Sequence, residues 1–191
     1  GVRPSASPSV RPSASPSAGP TVSSSTKPSA APSVSPSPTK EPVFTVQVVT
    51  RKDDAVWKDC DYKYCLKKSD AVNYEDSMQV QKGTYDIYVS DGNKVEDTGV
   101  DITIENADSC IAYIDYYTVS FTDENNNLLS NKEKQIVRKG QKAECPSNSG
   151  KEGYIFEGWY WNTSDGSLEK YDFKQEITQK TTLQGKWTQA S

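Results

Sequence analysis

Ten of the eleven prolines lie at or before Pro42, and that partition decides which part of the 191-residue chain can fold. The stretch VRPSASPSVRPSASPSAGP is almost all Pro, Ser and Ala, and its unit VRPSASPS, Val2 to Ser9, recurs unchanged at Val10 to Ser17. Each proline fixes φ and removes a backbone donor while serine keeps the chain solvated, so residues 1–42 read as a disordered, extended linker. At ~3.1 Å per residue, about forty such residues reach on the order of 120 Å. What remains, about 150 residues, suffices for one domain or two small ones.

Charge divides the same way. Arg3, Arg11, Lys27 and Lys40 precede Glu41 with no acid among them, leaving 18 basic against 26 acidic residues in the rest. An acidic folded part argues against nucleic acid, whose binding rests on neutralising phosphates. No stretch approaches the ~20 apolar residues of a membrane span, and no apolar leader opens the chain. The expectation is an internal or C-terminal piece of a longer exported protein, monomeric and without a span of its own.

The chain has no histidine. Ser-His-Asp and Cys-His nucleophilic sites and imidazole zinc sites are therefore excluded. Cys60, Cys65, Cys110 and Cys145 lack the paired C-x2-C rhythm of an all-cysteine zinc site, leaving disulfides, buried free thiols and a metal as the readings of those residues. DENNN at 123–127 offers oxygens at alternate positions but fails as an EF-hand, since Leu128 replaces the turn glycine and Lys134 the final glutamate. No cofactor and no metal are expected.

From Val43 the pattern becomes period two. VFTVQVV (43–49) reads as a strand followed by a polar turn at RKDD, and GTYDIYVSDG (83–92) puts Tyr85, Ile87 and Val89 on one face before an Asp-Gly hairpin signal. VDITIEN and CIAYIDYYTVSF repeat the alternation, as do KQIVRKGQKAECP, GYIFEGWYW and TTLQGKWT further on. No window sustains a helical i, i+3, i+4 stripe, so the fold class is mostly β. CIAYIDYYTVSF both closes one unit and opens the next, which leaves no room for a hinge and predicts a stiff end-to-end joint.

Residues 117–188 carry YTVSF, VRKGQKAECP, KEGYIFEGWY, YDF and ITQKTTLQGKW, and with these the segment resembles the Listeria–Bacteroides repeat, the class of module of the internalin B repeat. The resemblance implies a small β-grasp-like module over 117–191, found in extracellular and surface proteins of bacteria and associated with adhesion and display. It supplies no catalytic residues. Two positions depart from it, Cys145 before Pro146 and Trp161 after Tyr160. Residues 43–116 are more loosely similar, through VFTVQVV, Trp57 and GTYDIYV, to the transthyretin-like or collagen-adhesin B-type domains of such proteins, implying a β-sandwich-like module.

In a strand, Trp159 and Trp161 share one face and Tyr160 takes the other. Trp159 falls on the repeat's ring position and reads as core; Trp161 reads either as an edge-packing residue or as a stacking platform. Two modules of about 70 residues leave no obvious concave site of enzyme size. The function read here is therefore non-catalytic: a spacer or stalk of a secreted or wall-attached bacterial protein, also acting in adhesion. The alternative is a carbohydrate-binding module that targets an attached enzyme to polysaccharide, with Trp161, Tyr160, Trp57 and Tyr171 as the ring candidates. Cell-wall material and a host surface protein are further partner classes, the protein through strand addition to an exposed sheet edge.

Overall fold

Alternating apolar and polar residues along GTYDIYVS dictate a half-buried strand, and in the computed structural model of the protein Tyr85, Ile87 and Val89 are 8%, 0% and 5% exposed on one face of it. The structure describes residues 39–68, 78–130, 132, 134–147 and 149–191, so nearly all of the linker expected over 1–42 lies outside the described residues. In chain order the strands are β1 (Phe44–Thr45), β2 (Gln47–Lys52), β3 (Ala55–Val56), β4 (Lys63–Lys68), β5 (Gln79–Val80) and β6 (Gly83–Ser90). They continue with β7 (Val95–Ile104), β8 (Ile111–Thr122), β9 (Gln135–Arg138), β10 (Tyr154–Asn162), β11 (Leu168–Lys170) and β12 (Thr181–Gln189). A single 3-10 turn, Ala107–Ser109, precedes β8, and the described residues contain no α-helix. The chain is mostly β, as its alternation requires.

In the first half an antiparallel sheet β4-β6-β7 faces the parallel pair β2-β8. Leu66, Ile87, Ile104 and Ile114, each at or below 1% exposure, fill the space between them with Tyr85, Ile102, Ala112 and Tyr116. VFTVQVV is not one strand. It divides at Val46, which is 4% exposed and donates its N–H to the Met78 carbonyl at 2.8 Å, because β1 pairs with β5 whereas β2 pairs with β8. The turn expected over RKDD is also narrower. Arg51 and Lys52 still pair with β3, and the reversal is made by Asp53 and Asp54 alone, both at positive φ (52° and 68°), which a two-residue hairpin of the primed type demands.

In the second half the strand order runs β11-β10-β12-β8, with β9 on the other side of β8, and β8 and β12 lie parallel at its centre. Trp159, Phe121, Leu183 and Val119 form its core, and Ala143, Tyr171 and Ile177 join it from the stretches between strands. The K-E-G-Y-x-F-x-G-W-Y stretch has a local cause in β10. A bulge between Phe156 and Gly158 inserts one residue, so Phe156 and Trp159, three apart, both turn to the core, their ring centroids 5.3 Å apart. Gly158 at the bulge has φ 134°, outside the range that ordinary side chains adopt. Opposite Trp159, a β-carbon on Gly185 would fall 2.4 Å from the Trp187 ring and 3.1 Å from the Trp159 ring, so the bare glycine makes room for both indoles.

β8 runs through both halves without a bulge. Ala112, Ile114 and Tyr116 face the first core; Tyr117, Val119 and Phe121 face the second. Successive strand residues point to opposite faces, so the consecutive pair Tyr116-Tyr117 switches the buried side, and the two cores pack on opposite faces of one strand. Along one edge of β8, β2 pairs with 111–116 and β12 with 119–122. In the gap between them the Asp53 carboxylate accepts the Thr118 N–H at 2.8 Å and the Thr118 hydroxyl at 2.7 Å, while the Asp53 N–H donates to the Tyr116 carbonyl at 3.0 Å. Along the other edge β9 pairs with 116–119, and its Arg138 reaches back to β7, donating to the Glu96 carboxylate at 3.4 Å and to the Asp97 carbonyl at 3.3 Å.

Candidate functional site: the outer face of the second half

Because the buried side of β8 switches, the residues that continue the first core's face, Thr118, Ser120 and Thr122, lie on the outer face of the second half. Cross-strand register brings Thr182 and Gln184 of β12 beside Ser120 and Thr122, and Tyr160 of β10 beside Gln184. Two adjoining clefts open on this face. One of about 450 Å3 is lined by Thr122, Tyr160, Trp161, Asn162, Lys180 and Gln184 among others. The second, about 290 Å3, is lined by Lys52, Asp53, Thr118, Lys134 and Ile136, and shares Ser120 and Lys180 with the first.

Lysines dominate the charge here. Lys134 and Lys180 are exposed cleft-lining residues, and Lys52 is half-buried with its Nζ 4.7 Å from the centre of the Trp57 ring. At the far end Lys186 holds its Nζ 5.3 Å from the Tyr160 ring, and Lys170, exposed, is the register partner of Tyr160. None of the five forms an ion pair among the described residues. The acid lining either cleft is Asp53, whose two oxygens are already taken by Thr118. The Thr122 hydroxyl, on a residue 3% exposed, has no hydrogen-bond partner, although buried hydroxyls ordinarily find one.

The four rings singled out from the sequence are distributed over this surface and the two cores. Trp57 packs on the first core, edge-on to Tyr62 and Tyr116 at 5.6 Å and 5.8 Å. Tyr160 is half-buried on the outer face. Trp161 lies on the opposite side of β10 with Trp159, as strand alternation requires; it packs against the second core, edge-on to Tyr171 at 5.3 Å, and also lines the larger cleft. Tyr171 is 5% exposed and sits inside that core, in edge contact with Phe173. Trp159 is 2% exposed, in agreement with its reading as core. The structure thus brings Tyr160 and Trp161 to one cleft, places Trp57 under Lys52, and buries Tyr171.

The acidic loops direct their oxygens inward to their own turns. In DENNN the Asp123 carboxylate accepts the backbone N–H groups of Asn125 and Asn127 at 2.8 Å and 2.9 Å, and these bonds hold it below the usual carboxylate range. Asp165 accepts from the hydroxyls of Thr163 and Ser167 and from the Ser167 N–H, which lowers its carboxyl to about 2. Burial pushes the Tyr116 and Tyr117 hydroxyls up, and Tyr117 donates to Asp54 at 3.1 Å. Cys60, Cys110 and Cys145 are free thiols; Cys110 is buried and Cys145 exposed.

Two parallel strands at the centre of a small sheet, a core of ordered rings under a glycine bulge and an outer face of lysines, hydroxyls and amides define a non-helical β module in the second half. Residues 117–186 match the Listeria-Bacteroides repeat domain, which supports the repeat read from the sequence there. That repeat occurs in bacterial surface and extracellular proteins, and the match suggests a module of such a protein. A search of curated proteins gave no match. No helix among the described residues is long and apolar enough to cross a membrane.

Proposed function

We propose that residues 42–191 are a non-catalytic segment of a bacterial surface or secreted protein, serving as a spacer that holds attached parts at a set separation and acting in adhesion. The observation that supports this reading is the run of β8 through both cores, with each of its edges bonded across the switch at Tyr116-Tyr117. A hinge needs a short stretch of backbone free to change φ and ψ. Here the backbone at the switch is engaged by β2, by Asp53 and by β9, so bending costs hydrogen bonds on both sides. Residual dipolar couplings measured on the full chain test it: one alignment tensor should fit amides of β6 and of β12 together. Two independent tensors would remove the spacer reading.

A second reading, a carbohydrate-binding module targeting an attached enzyme to polysaccharide, is favoured by Tyr160 and Trp161 meeting in one cleft with hydroxyl and amide side chains. Binding of the full chain to insoluble polysaccharide, with Trp161→Ala alongside, separates it from pure spacing.

A further inference from the structure

We infer that the lysine-lined outer face of the second half binds an acidic polysaccharide. This rests on the adhesion and carbohydrate readings above and names their ligand class. The chain as a whole carries a net charge of −4, and its part after Lys40 is more acidic still. Against that background, Lys52, Lys134 and Lys180 line two clefts that share Ser120 and Lys180, Lys186 and Lys170 stand beside Tyr160 at the rim of the larger one, and Trp57 lies under Lys52 at the other end. Cations grouped in and beside clefts raise the local concentration of anionic ligand even when the net charge opposes it, since exposed charges more than about 10 Å away are screened at ordinary salt.

Two further features select a sugar chain over other polyanions. The clefts offer hydroxyls and amides (Ser120, Thr182, Gln184, Asn162) beside the cations, and the Thr122 hydroxyl is buried there without a partner. Such groups match sugar hydroxyls, and Tyr160 offers a ring for a saccharide to lie against at one end of the strip. Nucleic acid is disfavoured: no arginine lines either cleft, and the rings stand at the ends of the strip and not along it, where successive bases would stack.

The test is affinity electrophoresis of the full chain in gels containing polygalacturonate, neutral dextran or single-stranded DNA. The triple variant Lys134→Glu, Lys180→Glu, Lys186→Glu changes three exposed side chains, and a second triple variant, Lys58→Glu, Lys63→Glu, Lys139→Glu, reverses the same number of charges elsewhere. Retardation by polygalacturonate and not by dextran is expected, lost by roughly tenfold or more in the strip variant and largely kept in the control. Near-ultraviolet circular dichroism verifies that both variants fold. Equal loss in the two variants would assign the effect to net charge or to the linker's Arg3 and Arg11, and the proposal fails. Retardation by DNA as strong as by polygalacturonate, or by dextran as well, also overturns it. Because the spacer reading is judged by dipolar couplings, each can fail without the other.

Discussion

The carboxylate of Asp53 takes both the N–H and the hydroxyl of Thr118, 65 positions away in sequence, where β2 has ended and β12 has not begun. A side chain thus does the work of a missing strand residue, and a backbone donor that would otherwise be orphaned inside the sheet is satisfied.

Asp53→Ala should therefore cost about 1–3 kcal/mol, the penalty of an unsatisfied, partly buried donor. Part of the loss would come from placing alanine at the positive φ of that turn. Asp53→Asn keeps an acceptor oxygen and tolerates the turn, so it should lose less. Urea unfolding of the three proteins measures both; equal stability of the alanine variant would dismiss the role given to this carboxylate.

Gly185→Ala should overpack the second core. The added carbon meets the Trp187 and Trp159 rings at 2.4 Å and 3.1 Å, and such insertions cost roughly 1–3 kcal/mol. The indole signals in near-ultraviolet circular dichroism should change along with the melting temperature. An unchanged spectrum would mean that the rings move aside freely.

Asp165 gives a pH prediction with a definite sign. Its carboxyl is lowered to about 2 by the Thr163 and Ser167 bonds, so the turn's contribution is fully present above the ordinary carboxylate range, near pH 4, and fades as pH falls through about 2. Carboxyl-carbon NMR should report a midpoint near that value, and Thr163→Val should raise it. A midpoint near 4 in the unaltered chain would contradict the hydrogen-bond geometry.

The thiols should divide by exposure. Cys145 is exposed and Cys110 is buried, its Sγ 3.3 Å from the Asn106 carbonyl. An aromatic disulfide reagent should modify Cys145 in the native chain and reach Cys110 only on unfolding. Protection of Cys145 in the native state would point to a bond or contact that this geometry does not contain.

Much of this architecture can be read directly from residue order. The face switch of β8 is written as Ala112, Ile114, Tyr116 followed without a gap by Tyr117, Val119, Phe121, and two adjacent tyrosines in an alternating strand mark where the buried side changes. The break at Val46 was not legible in the same way, because VFTVQVV alternates smoothly and only its two different partners divide it. Of the rings, Trp159 and Tyr171 both fall in segments of the repeat, but only the fold, which packs Tyr171 against Trp161 inside the core, separates it from the rings that could meet a ligand. The lysine strip leaves no local trace: Lys52, Lys134, Lys170, Lys180 and Lys186 come from or beside β2, β9, β11 and β12, and only the order of strands in the sheet sets them side by side.

The arrangement along β8 has a mechanical meaning. β2 enters the fold parallel to β8 and β12 leaves it parallel to β8, one after the other along the same edge. Tension applied between Pro42 and Ser191 therefore pulls along the strand axes and loads the bonds of both pairings together in shear, as in a lap joint, where a hairpin pulled from its open end would unzip one bond at a time.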